Sequence, residues 1–88
     1  MDPNYSVKMN VQWESETKVV VVGSITEEFG HYEHECVTRS GVCEDTAGPH
    51  TRLAVELAVV ARVLHALASA TETMGEAIPW ADEDGSVP

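Results

Sequence analysis

"YSVKMNVQWESETKVVVVGSIT", residues 5–26, decides the fold. Its first nine residues alternate without a break. Tyr5, Val7, Met9, Val11 and Trp13 point one way, and Ser6, Lys8, Asn10 and Gln12 the other. Successive side chains of a strand leave on opposite faces, so this pattern predicts a half-buried strand. "ESET" (14–17) is polar, breaks the alternation and reads as a hairpin turn. "KVVVVGSIT" (18–26) is β-branched and apolar on both faces from Val19 to Val22, as a central strand is. Its register depends on the turn. With Trp13 opposite Lys18, Val20 and Val22 join Met9 and Val11 in the core, while Val19, Val21 and Ile25 face out. A one-residue change in loop length swaps the two sets. In either register one apolar row is left over.

Working outward, "EEFG" (27–30) is a turn, and "HYEHECVTR" (31–39) alternates again. Its charged set, with His31, Glu33, Glu35, Val37 and Arg39, belongs in water, so Tyr32 and Cys36 are expected in the core beside His34 and Thr38. "SGVCEDTAG" (40–48) has loop chemistry. Gly48-Pro49 then opens a helix, because proline is tolerated at the first helical position. Leu53, Leu57, Val60, Leu64, Leu67, Thr71, Met74 and Ile78 follow a four-three spacing and form one seam, ending near Gly75 or Pro79. A second stripe, Val55, Val59, Val63, Ala66 and Ala70, lies about 100° round the helix. Arg52 and Glu56 form a solvent-side i, i+4 pair. The architecture is α+β: a three-stranded antiparallel β-meander followed by one long C-terminal helix packed on the sheet (βββα). Residues 1–78 form this single domain, and residues 79–88 are an acidic, flexible tail that carries Trp80.

The opening strand "YSVKMNVQW" and the helix "ELAVVARVLHALA" (56–68) resemble small actinobacterial βββα proteins related to the double-stranded-RNA-binding-like fold of ribosome-hibernation factors. The likeness covers about a quarter of the chain and rests on generic core patterns. It implies the same βββα fold and a ribosome-associated stress accessory role. The third strand departs from that family, whose glycine-bearing strand and Asn-Pro loop are replaced here by "HYEHECVTR". No functional residue carries over.

The 88 residues hold fifteen acidic and five basic side chains, a net charge of −10. Such a field repels phosphate backbones and anionic lipid headgroups, so direct nucleic-acid binding is not expected and a basic protein partner is. "MDPNYSVKMN" lacks the basic and apolar regions of a secretory signal. Glu56, Arg62 and His65 interrupt the longest apolar stretch, which argues against a membrane span. A cytoplasmic chain is expected, with its two cysteines as free thiols. Abundant Val and Ala with scarce Ile and Asn match a GC-rich bacterium or one of its phages.

No nucleotide-binding or hydrolase motif is present. Glu33 and Glu35 share a strand face without the desolvation that would separate their pKa values. The chain therefore reads as a non-enzyme without a cofactor. His34, Cys36, Cys43 and His50 are the side chains that would form a zinc or redox site. Their spacing lacks a Cys-x-x-Cys knuckle, and no metal is expected. Association is the stronger theme. The leftover sheet row (Val19, Val21, Ile25) and the second helix stripe (Val55, Val59, Val63) predict a homodimer interface. Glu27, Glu28, Glu33, Glu35, Glu44 and Asp45, with Trp80 as an aromatic anchor, predict the surface for a basic macromolecular partner, as in an inhibitor or regulator.

Overall fold

The computed structural model describes residues 4–28 and 35–77. They form β1 (Tyr5–Trp13), β2 (Lys18–Glu27), β3 (Cys36–Val42) and α1 (Pro49–Ala77). The sheet runs β1-β2-β3 with both pairings antiparallel, and α1 packs on β2 and β3. The βββα architecture is the expected one. Tyr32, His31, His34, Glu33, Ile78, Trp80 and the acidic tail lie outside the described residues.

The register is the alternative one. Trp13 faces Val19, Val11 faces Val21, and Val7 faces Ile25. The turn's own bonds account for this. Thr17 N donates to Ser15 Oγ at 3.2 Å, and Glu14 N donates to Lys18 O at 2.8 Å. With Trp13 opposite Val19, the loop takes up Lys18 as well as the four residues of "ESET". Every side chain of β2 is thereby flipped. Val19 and Val21 are fully buried beneath the helix, whereas Val20 and Val22 are half-buried on the open sheet face.

The third strand is also offset. Ser40–Val42, read as loop, complete β3, and Val37 rather than Cys36 enters the core. Val37 lies opposite Gly23, and Cys36 is exposed opposite Ser24 on the open face.

The helix meets the sheet with its second stripe and one edge of the leucine seam, Leu67 being buried and Val60 packed against the core. Val59, Val63 and Leu67 are buried, while Leu53, Leu57 and Leu64 are 49%, 55% and 47% exposed. Two glycines explain the choice. A Cβ at Gly41 would stand 2.6 Å from Val59 Cγ2 and 3.3 Å from Val55 Cγ1. At Gly23 it would overlap Val63 and stand 2.9 Å from Met9 Sδ. The helix therefore seats its short, β-branched side chains where the sheet has none, and the backbones approach closely. Of the leucines, Leu67 reaches it, with Cδ1 3.1 Å from a Cβ built at Gly23, while Leu53, Leu57 and Leu64 lie further round the helix. The helix starts as expected, with Arg52 N donating to Gly48 O at 3.0 Å, and continues through Gly75.

The expected Arg52–Glu56 surface pair is replaced by contacts to the sheet. Trp13 Nε1 donates to Glu56 Oε1 at 3.0 Å, and the Arg52 guanidinium sits 4.2 Å above the Trp13 ring. Arg52 also donates to Glu16 O at 2.6 Å, and Arg62 to Ser40 O at 3.2 Å. These contacts tie the first half of α1 to both sheet edges. Trp13→Phe keeps a ring for Arg52 but removes the donor to a part-buried carboxylate. Urea denaturation is expected to show a loss of about 1–2 kcal/mol.

Candidate functional site

Two surfaces stand out, one acidic and one apolar. The acidic one begins with the hairpin turn, which the backbone ties to the loop after β3: Cys43 N donates to Thr17 O at 2.9 Å. This brings the exposed Glu14 and Glu16 to the same end of the sheet as the exposed Glu44 and Asp45. Lys18 pairs with Glu14 at 3.6 Å, both half-exposed, so solvent screens the pair. Arg52 also reaches this end, where it bonds Glu16 O, and the acids Glu14, Glu16, Glu44 and Asp45 outnumber Lys18 and Arg52 there, leaving the end net negative. Glu14 and Glu16 were not among the expected surface acids. The signal that could have found them is the position of a turn next to the loop that follows the third strand of a meander.

The predicted acidic set is not one surface. Glu28 and Glu35 lie at the opposite end of the sheet, where Asn4 Nδ2 donates to Glu28 Oε1 at 2.8 Å and Ile25 N donates to Glu35 O at 3.3 Å. The ten residues of β2 separate the two ends, a distance of roughly 30 Å at strand rise. Glu27 is withdrawn altogether. It is only 5% exposed, across from Tyr5 on the helix side of the sheet. The corrected register puts it there, on the same face as Val21 and Ile25.

Of the candidate metal and redox residues, His34 lies outside the described residues, and the two cysteines are not brought together. Cys36 lies opposite Ser24 at the start of β3, and Cys43 follows its end. Seven residues of strand place them roughly 20 Å apart, against about 6 Å between the Cα atoms of a disulfide. Both thiols are free, and His50 is exposed in the first turn of α1 beyond Cys43. Among the described residues no three His, Cys, Asp or Glu side chains are grouped to hold a metal ion.

The expected dimer residues are likewise relocated. Val19, Val21, Val59 and Val63 form the core of the chain itself, and Ile25 and Val55 pack against it. They have little surface to offer a partner. The exposed apolar surface lies beside them. α1 packs chiefly on β2 and β3, so the helix-side row of β1 is covered at Met9 and Trp13 only, and Tyr5 and Val7 are 54% exposed and Val11 is 40% exposed. Leu53, Leu57 and Leu64 stand along the flank of α1 that overlooks this row, about 100° round from the buried valines. Val7 of the floor and Leu64 of the wall meet in an open cleft of about 390 Å³, which Ile25, Leu67, Ala68, Thr71 and Glu72 also line.

In length and composition α1 also meets the demands of a bilayer span, with a mean hydropathy of 1.7 over its most apolar stretch. In the structure it lies on the sheet, with Glu56 and Arg62 bonded to it. No family model, curated protein or solved structure matches the chain.

Proposed function

We propose that the chain is a non-enzymatic interaction protein, an inhibitor or regulator that engages a basic macromolecular partner. The supporting observation is the joining of Glu16, Glu44 and Asp45 at one end of the sheet in a chain whose net charge is −10. Exposed acids of one sign, held on a hydrogen-bonded turn and loop, steer a basic partner and fix its orientation. Ribosomal proteins are among the basic partners that this reading admits, and co-sedimentation with ribosomes tests that case.

The test is affinity capture from the native host at low ionic strength, followed by association rates for the captured partner. The rate is expected to fall steeply between low and physiological salt, because exposed charges are screened over about 8–10 Å. Glu16→Lys, Glu44→Lys and Asp45→Lys together should slow association at least about tenfold. Their melting temperature should be unchanged, since all three side chains are exposed. A rate that is flat with salt, or indifferent to the three reversals, would show the reading to be wrong.

A further inference from the structure

We infer that the apolar cleft between β1 and α1 is the contact surface for a second copy of this chain. The inference does not rest on the acidic partner proposed above and uses a different surface. It starts from an incomplete layer. The helix packs chiefly on two of three strands and touches the third at Met9 and Trp13, so Tyr5, Val7 and Val11 lie open beside the exposed leucines Leu53, Leu57 and Leu64. The six residues are between 40% and 55% exposed, on the order of 500 Å² in all with the Tyr5 hydroxyl included, within the range of the largest patch on a typical monomer. That is most of the roughly 800 Å² that each partner gives to a standard interface, before any rim is counted.

The chemistry of the cleft selects the occupant. Neither row carries a charge, and among the described residues Glu72 is the one charged residue lining the cleft, so apolar surface dominates what it offers. Bilayer is a poor occupant, because β1 is an edge strand whose unpaired backbone groups border the cleft and need water or protein partners. A second copy satisfies both demands. The surface is self-complementary, since it presents a projecting leucine row next to a trough. In a two-fold arrangement the leucine row of each copy covers the β1 row of the other. Among the described residues Glu72 is the one acid lining the cleft, while Glu16, Glu28, Glu35, Glu44 and Asp45 lie at the two sheet ends, so two copies can meet with most of their like charges apart.

Sedimentation equilibrium of the full chain at tens of micromolar is expected to give twice the 9.5 kDa chain mass. Leu64→Lys should weaken self-association about 30-fold or more, the effect of losing a central anchor. Its circular dichroism should be unchanged, because Leu64 is half-exposed. Val7→Asp should do the same, and an equimolar mixture of the two variants should recover the dimer through the crossed Lys–Asp contact. Val42→Lys, on the open sheet face, should leave the dimer intact. A wild-type monomer at these concentrations overturns the inference. So does a folded Leu64→Lys variant that remains dimeric, a mixture that stays monomeric, or a dimer broken by Val42→Lys.

Discussion

Replacing Gly23 with valine is expected to lower the stability of the chain by about 3 kcal/mol or more, from the overpacking it forces. Local propensity predicts the opposite sign. Glycine in a strand interior costs about 0.5–1 kcal/mol relative to alanine, and valine is among the best strand formers. If position 23 were on an open face, the substitution would stabilise. It is not open: any Cβ there overlaps Val63 and crowds Met9 Sδ at 2.9 Å and Leu67 Cδ1 at 3.1 Å. Val63 is fully buried and cannot move aside without lifting the helix from β2. A domain of this size has only about 4–13 kcal/mol of stability in total. Urea denaturation followed by circular dichroism measures the change. A stabilised Gly23→Val variant would mean that the helix does not sit over this glycine.

The second large effect separates the two sides of the helix. Val63→Ala is expected to cost about 2–3 kcal/mol, through lost burial and the cavity left under α1. Leu57→Ala removes more carbon but should change monomer stability by no more than about 0.5 kcal/mol, because the side chain is 55% exposed. Both are compared by urea denaturation at submicromolar protein, where self-association adds little. A leucine seam facing the sheet would reverse the order, with Leu57→Ala the more damaging change.

These two substitutions also mark where the sequence was legible and where it was not. Alternation over Tyr5–Trp13, the β-branched run from Lys18 and the Gly48-Pro49 start each reflect local geometry, and all three elements stand where those signals put them. Register is a property of the turn. It was decided by the Ser15–Thr17 hydrogen bond, which the residue types "ESET" allow but do not dictate. The choice of helix face was obscured because two apolar stripes compete on α1. The leucines are the more hydrophobic, yet Gly23 and Gly41 reward the shorter valines. Two glycines inside strands were the available clue. The dimer residues inferred from the sequence followed from the wrong register and the wrong stripe, so they turned up in the core. The acidic set failed for a different reason. Proximity along the chain grouped Glu27, Glu28 and Glu35 with Glu44 and Asp45, whereas the meander sends the last two to the opposite end beside Glu16.

Everything proposed about surfaces depends on which side of α1 meets the sheet. A methyl NOESY spectrum of the full chain reads this directly. Strong cross-peaks are predicted from the Val63 methyls to the Gly23 Hα protons, and from the Val59 methyls to the Gly41 Hα protons. Cross-peaks to those glycine protons from Leu57 and Leu64, with none from Val59 and Val63, would contradict the account.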